Sequence, residues 1–144
     1  YSEKIGFNFE QGEAIKKAKG FFEYYEYCRV FFDNAVEQFL KEFSGNILEL
    51  GGGHPIIPEF EKQNKIRTLL EPHKNVFLIM PVEDKQEALK ILRERNQVSA
   101  EEDLNNLFLN QDTFFQLAKN SIFTNGKTPD QTAQEIFNLI RHEN

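Results

Sequence analysis

Apolar positions along the chain follow two rhythms. From Phe21 to Phe43 they recur at spacings of three and four: Tyr24, Tyr27, Cys28, Phe31, Phe32, Ala35, Phe39 and Phe43. That is one face of a long helix. Gly20 separates it from a short polar helix over about Glu10 to Lys19, and Ser44-Gly45 stops it. A second rhythm, short uninterrupted apolar runs, marks strands. Ile47, Leu48 and Leu50 read as a buried strand, and Val76-Phe77-Leu78-Ile79-Met80 as a strand covered on both faces. Ser121 to Thr124 is a third, short strand. Between them the pattern predicts a polar helix reaching about Leu70, an amphipathic helix from Glu83 to Arg95 carrying Ala88, Leu89, Ile91 and Leu92, and a helix over Thr113 to Lys119. Gln97 to Asp112 is polar and weakly periodic, the pattern of a mobile segment. Asn125-Gly126 turns the chain into Thr128-Pro129-Asp130-Gln131, a capping box with threonine at N-cap, proline at N1 and glutamine at N3. The helix it opens is expected to bury Ala133, Ile136, Phe137 and Ile140.

Strands alternating with helices predict one α/β domain over residues 1–144 with a parallel sheet. The 40% hydrophobic content and 144 residues suit one core. The net charge of −6 argues against nucleic acid and against an anionic membrane as partner. No apolar run is long enough to span a bilayer. Cys28 is the only cysteine, so no internal disulfide is possible, and a reducing, cytoplasmic setting is expected. With no cysteine or histidine beside it, Cys28 reads as a small buried residue. The histidines show no metal-ligand spacing.

Ligands in open parallel sheets bind beyond the carboxyl ends of the strands. Three loops qualify: Gly51 to Pro55, Pro81 to Asp84, and Asn125 to Pro129. Gly51-Gly52-Gly53 let a ligand approach backbone N–H groups closely, where only a tight turn is the plainer reading. His54 follows, either as a donor to an anion or as an ordinary loop histidine. Arg93 and Arg95 end a helix, where they complement its dipole or reach a phosphate. Arg29 sits in an aromatic helix, either as a fork for a carboxylate or phosphate or paired with Asp33 one turn on.

Cys28-Arg29-Val30-Phe31-Phe32, the triple glycine, Val76 to Pro81, and the stretch from Phe115 to Pro129 occur in the order seen in another family. On these segments the chain resembles the C-terminal two-thirds of shikimate kinase-like P-loop kinases, in an uncharacterised bacterial branch. The resemblance implies a three-layer α/β sandwich and transfer of the γ-phosphoryl group of ATP, with Mg2+, to a small hydroxylated acceptor. Arg29, on the acceptor-side helices within residues 10–43, would hold the acceptor together with Gly51, Gly52, Gly53 and His54 of the glycine loop. Lys127, Thr128 and Pro129 would border the nucleotide. Arg93 and Arg95 would serve catalysis beside a lid over residues 96–112. No Gly-x-x-x-x-Gly-Lys-[Ser/Thr] occurs in these residues, and the lid holds no arginine. The family's first two strands are also missing, which predicts an N-terminal segment in the native protein. The alternative function is a non-catalytic α/β binding or interaction module derived from such a kinase. The sequence leaves the acceptor and the oligomeric state open.

Overall fold

The computed structural model describes residues 6–45, 47–51, 59–97 and 103–142. They form seven helices and two strands in the order α1 (Phe9–Lys19), α2 (Phe21–Glu42), α3 (Phe60–Leu70), β1 (Phe77–Met80), α4 (Lys85–Asn96), α5 (Asn105–Leu109), α6 (Thr113–Leu117), β2 (Asn120–Phe123) and α7 (Pro129–His142). The chain divides into two compact units, one of Tyr1–Pro72 with Ser99–Leu104 and one of His73–Val98 with Asn105–Asn144.

In the first unit α2 packs against α1 and α3. Asn8 caps α1 by accepting the Gln11 N–H at 3.0 Å, which satisfies one of the donors a helix start leaves open. Gly12 is buried where α1 meets α2, and a Cβ there would lie 3.0 Å from the Tyr24 ring. A side chain at that position would push the helices apart. The α2 residues that reach the core are Tyr25, Cys28, Ala35, Val36 and Leu40, joined by Ile66 and Leu70 of α3. Of the face the sequence pattern gave (Tyr24, Tyr27, Cys28, Phe31, Phe32, Ala35, Phe39 and Phe43), Cys28 and Ala35 are buried, while Tyr25, Val36 and Leu40 were not in it. Tyr27 and Phe31 instead form an aromatic cluster with Phe7, with ring centroids 5.2 to 5.6 Å apart.

In the second unit β1 and β2 pair in parallel, Phe77 opposite Asn120 and Met80 opposite Phe123. One sheet face carries Met80, which packs with Ala88 and Leu89 of α4 and Leu109 of α5; Leu78, Val82, Leu92, Phe115 and Phe123 surround them. Asp84 caps α4, accepting the Glu87 N–H at 2.8 Å. α7 packs on β2, whose Ile122 is fully buried.

This architecture overturns the expected P-loop kinase-like three-layer sandwich. Helices make up 64% of the described structure, and the sheet has two strands. Ile47 to Leu50 do not form a strand, and Ile47 is 89% exposed. An apolar triplet becomes a strand only when a neighbour satisfies its backbone, and the described residues offer it none. Two further expectations change. The polar stretch from Gln97 to Asp112 contains α5, whose Leu109 is in the core. On α7, Ala133 and Phe137 are exposed, because a two-stranded sheet is too narrow to cover the whole apolar stripe.

Candidate functional site

Two of the three candidate loops meet at the carboxyl end of the sheet. The Met80 carbonyl accepts the Thr124 N–H at 2.9 Å, and the Pro81 carbonyl accepts the Asn125 N–H at 2.8 Å. Pairing thus continues past the strands and fixes Pro81–Asp84 beside Thr124–Asn125. Gly126, at φ 76°, makes the turn that follows, and the Lys127 N–H closes it on the Thr124 carbonyl at 3.1 Å. Each loop then enters a helix, α4 at Lys85 and α7 at Pro129. Two helix N-termini therefore lie next to the ends of two parallel strands.

Several polar groups of this corner have partners within the protein. Thr128 and Gln131 form the capping box: the Gln131 N–H donates to Thr128 Oγ1 at 3.2 Å, and the Thr128 N–H donates to Gln131 Oε1 at 2.8 Å. Pro129 is the first residue of α7, where its missing N–H costs nothing. The Lys127 ammonium is paired with Glu135, nearly two helical turns into α7. On the other loop Asp84 Oδ1 is engaged by the Glu87 N–H.

Arg93 and Arg95 are exposed in the last turn of α4. At about 1.5 Å of rise per residue, Arg93 lies roughly 13 Å along the axis from Asp84. Both arginines are thus at the end of α4 remote from the Lys127 corner. There the Arg93 carbonyl accepts the Gln97 N–H at 3.2 Å, and Gln97 terminates the helix at φ 49°. Arg29 lies in the other unit. It binds Glu26 one turn back, through Nε at 3.0 Å and Nη2 at 2.9 Å. Gly51 is exposed and follows no strand. Gly52, Gly53 and His54 lie outside the described residues.

Among the described residues Tyr24, Cys28 and Glu37 have perturbed acidities, and none of them is in this corner. Burial pushes the Cys28 thiol up, and its hydrogen bond with Tyr24 offsets part of that. The Tyr24 phenol is raised first by the same bond and then by burial. Among the described residues no group of three or more His, Cys, Asp and Glu side chains is placed to hold a metal ion. Among them, too, no helix is long and apolar enough to cross a membrane.

The sheet has a second feature that the sequence reading missed. Val76 and Met80 direct their carbonyls at β2. Alternation along a strand then turns the backbone N–H and C=O groups of Phe77 and Ile79 the other way. Among the described residues nothing pairs with that edge. Ile79, in the middle of the most apolar run of the chain, is 56% exposed. The run had implied cover on both faces, and one face of β1 lacks it.

No family model, curated protein or solved structure matches the chain.

Proposed function

We propose that the chain acts as a binding or interaction module whose docking element is the outer edge of β1. The supporting observation is the exposed Ile79 beside backbone groups of Phe77 and Ile79 that pair with nothing among the described residues. A row of free N–H and C=O groups next to an apolar side chain is a template for an added strand. Parallel strands are ordinarily buried within larger sheets, so an open edge here favours a partner strand. The test is titration of the isotope-labelled intact chain with a synthetic peptide spanning Lys74 to Asp84, followed by amide NMR. Shifts confined to β1 and centred on Phe77 and Ile79 support the reading. Shifts elsewhere, or none at high peptide concentration, overturn it.

A second reading, a kinase-like transfer of the ATP γ-phosphoryl group to a hydroxylated acceptor, is favoured by a different observation. The loops after two adjacent parallel strands meet at one corner and lead into two helix N-termini, the usual ligand position of such sheets. ATP and Mg2+ enter this reading through the family resemblance alone. The shortage of uncommitted charge at Lys127 and Asp84 places it second. Adding ATP with Mg2+ to the same labelled chain tests it. Shifts over Asn125 to Asp130 support it, and unchanged amides there count against it.

A further inference from the structure

The outer edge of β1 lies between ends of opposite charge. At its amino end Lys74 is exposed, and the Lys119 ammonium is anchored to the His73 carbonyl at 2.6 Å. Glu71, nearby in sequence, belongs to the other unit. At the carboxyl end Glu83 and Asp84 are exposed. The next cation, Lys85, is held by Asp112 at 3.1 Å and lies over the Phe115 ring. The edge is therefore basic at one end and acidic at the other, with Phe77 to Met80 between.

A strand with this polarity is complementary to itself when reversed. Resting on the docking reading above, we infer that the partner of the β1 edge is a second copy of the chain, paired antiparallel through β1 about a two-fold axis near Leu78. The register follows from which backbone groups face outward. Phe77 of one copy stands opposite Ile79 of the other, so each pair exchanges N–H···O=C bonds in both directions. The Met80–Pro81 peptide turns its carbonyl to β2. The nitrogen of Pro81 therefore faces the outer edge without a hydrogen, which ends the pairing there. The reversed direction sets Lys74 and Lys119 of one copy beside Glu83 and Asp84 of the other, twice over. A parallel neighbour would set like charges together. The result is a four-stranded sheet in which Ile79 and Phe77 of the two copies cover each other.

Four residues per copy make a small interface, so the pairing is expected to be weak, with a dissociation constant between about 1 mM and 1 μM. Sedimentation equilibrium of the intact chain over that range, at low salt, is the test. A concentration-dependent dimer is expected, loosening as salt rises. Lys74→Glu and Glu83→Lys should each weaken it roughly 2- to 30-fold, since two exposed charge pairs are reversed in each dimer. The two changes combined should restore it. Ile79→Pro removes an outward donor without touching the β2 ladder and should abolish dimerisation. Ile79→Lys provides the same test should the proline variant not fold.

A monomer at every concentration overturns the inference. So does a dimer indifferent to both charge swaps, or one lost in the double swap. If the chain stays monomeric while the Lys74-to-Asp84 peptide still shifts Phe77 and Ile79, the self-pairing fails and the docking edge stands. If neither occurs, both fail.

Discussion

Thr128 belongs to the one candidate site segment for which a structural role and a ligand role predict opposite results on substitution. In the structure its hydroxyl oxygen accepts the Gln131 N–H at 3.2 Å, and its own N–H is taken by Gln131 Oε1 at 2.8 Å. The Thr132 hydroxyl bonds the Thr128 carbonyl at 3.1 Å and does not depend on the Thr128 side chain. Thr128→Ala therefore strips one cap bond and leaves the Gln131 N–H to solvent. Loss of an N-cap hydroxyl costs about 1 kcal/mol, within a range of about 0.5–2. That corresponds to roughly fivefold faster exchange of the Gln131 amide, at about 1.4 kcal/mol per tenfold. Thr128→Ser and Thr128→Asp keep an acceptor in place, and aspartate adds a favourable charge at the helix start. The expected order of protection is Asp at least equal to Ser and Thr, with Ala lowest. Amide exchange is the appropriate assay, because the two units need not unfold together and a global transition would blur a local effect. A threonine acting on nucleotide phosphate predicts the reverse for aspartate, through charge repulsion on ATP binding. Equal protection in the Ala and Asp variants refutes the capping argument.

Ile122, fully buried between β2 and α7, should cost about 2–5 kcal/mol as Ile122→Ala and about 0.5–1.5 as Ile122→Val; urea unfolding followed by α7 amide signals would show otherwise if both variants matched the native chain. Glu37 bonds both Lys41 and Lys65, which hold its carboxyl below the usual carboxylate range. Its contribution is present above the unfolded carboxylate value of about 4.3 and is lost as pH falls through its lowered native value. Glu37→Gln should flatten the acid limb of the stability curve below about pH 4.3, and an unchanged limb would remove Glu37 from the account. Cys28 is buried with its thiol pushed up, so iodoacetamide at mildly alkaline pH should label it only on unfolding; alkylation at the rate of a small free thiol would contradict that packing.

Features fixed by neighbours in sequence were legible in it. The capping box at Thr128, the proline at N1 and the turn at Gly126 all depend on residues within one helical turn, and all three lie where the pattern put them. β1 and β2 were legible as strands and as parallel, because the helices between them supply the long crossover that parallel pairing requires. Features fixed by distant partners were not legible. Ile47 to Leu50 have the composition of a strand, but composition does not supply a neighbour. The α2 face missed Tyr25, Val36 and Leu40, since a helix with aromatics on most sides takes its buried stripe from α1 and α3. Nothing in the sequence around Gly12 announces that Tyr24 will close on it. The surroundings of the three arginines were not legible either: Arg93 and Arg95 end α4 away from the corner, and Arg29 lies in the other unit. Arg29 binds Glu26, at i−3, a partner the sequence pattern did not single out; the Asp33 side chain, at i+4, lies outside the described ones.

The carboxyl corner and the outer edge of β1 are separate surfaces of one small sheet, and Pro81 is the residue that divides them. It is buried at the end of β1, and its carbonyl holds the Asn125 N–H, which positions the turn toward Lys127. Its ring removes the donor that would extend the outer edge by one more residue. A partner strand on β1 therefore stops short of the loops, and a ligand at the loops leaves Phe77 and Ile79 untouched. Pro81→Ala separates the two roles. The new N–H lengthens the edge while the backbone bond to Asn125 remains. Strand docking should tighten, and the Asn125–Asp130 amides should keep their positions. Movement of those amides would mean that the corner and the edge form one coupled site, and the two readings would then have to be tested together.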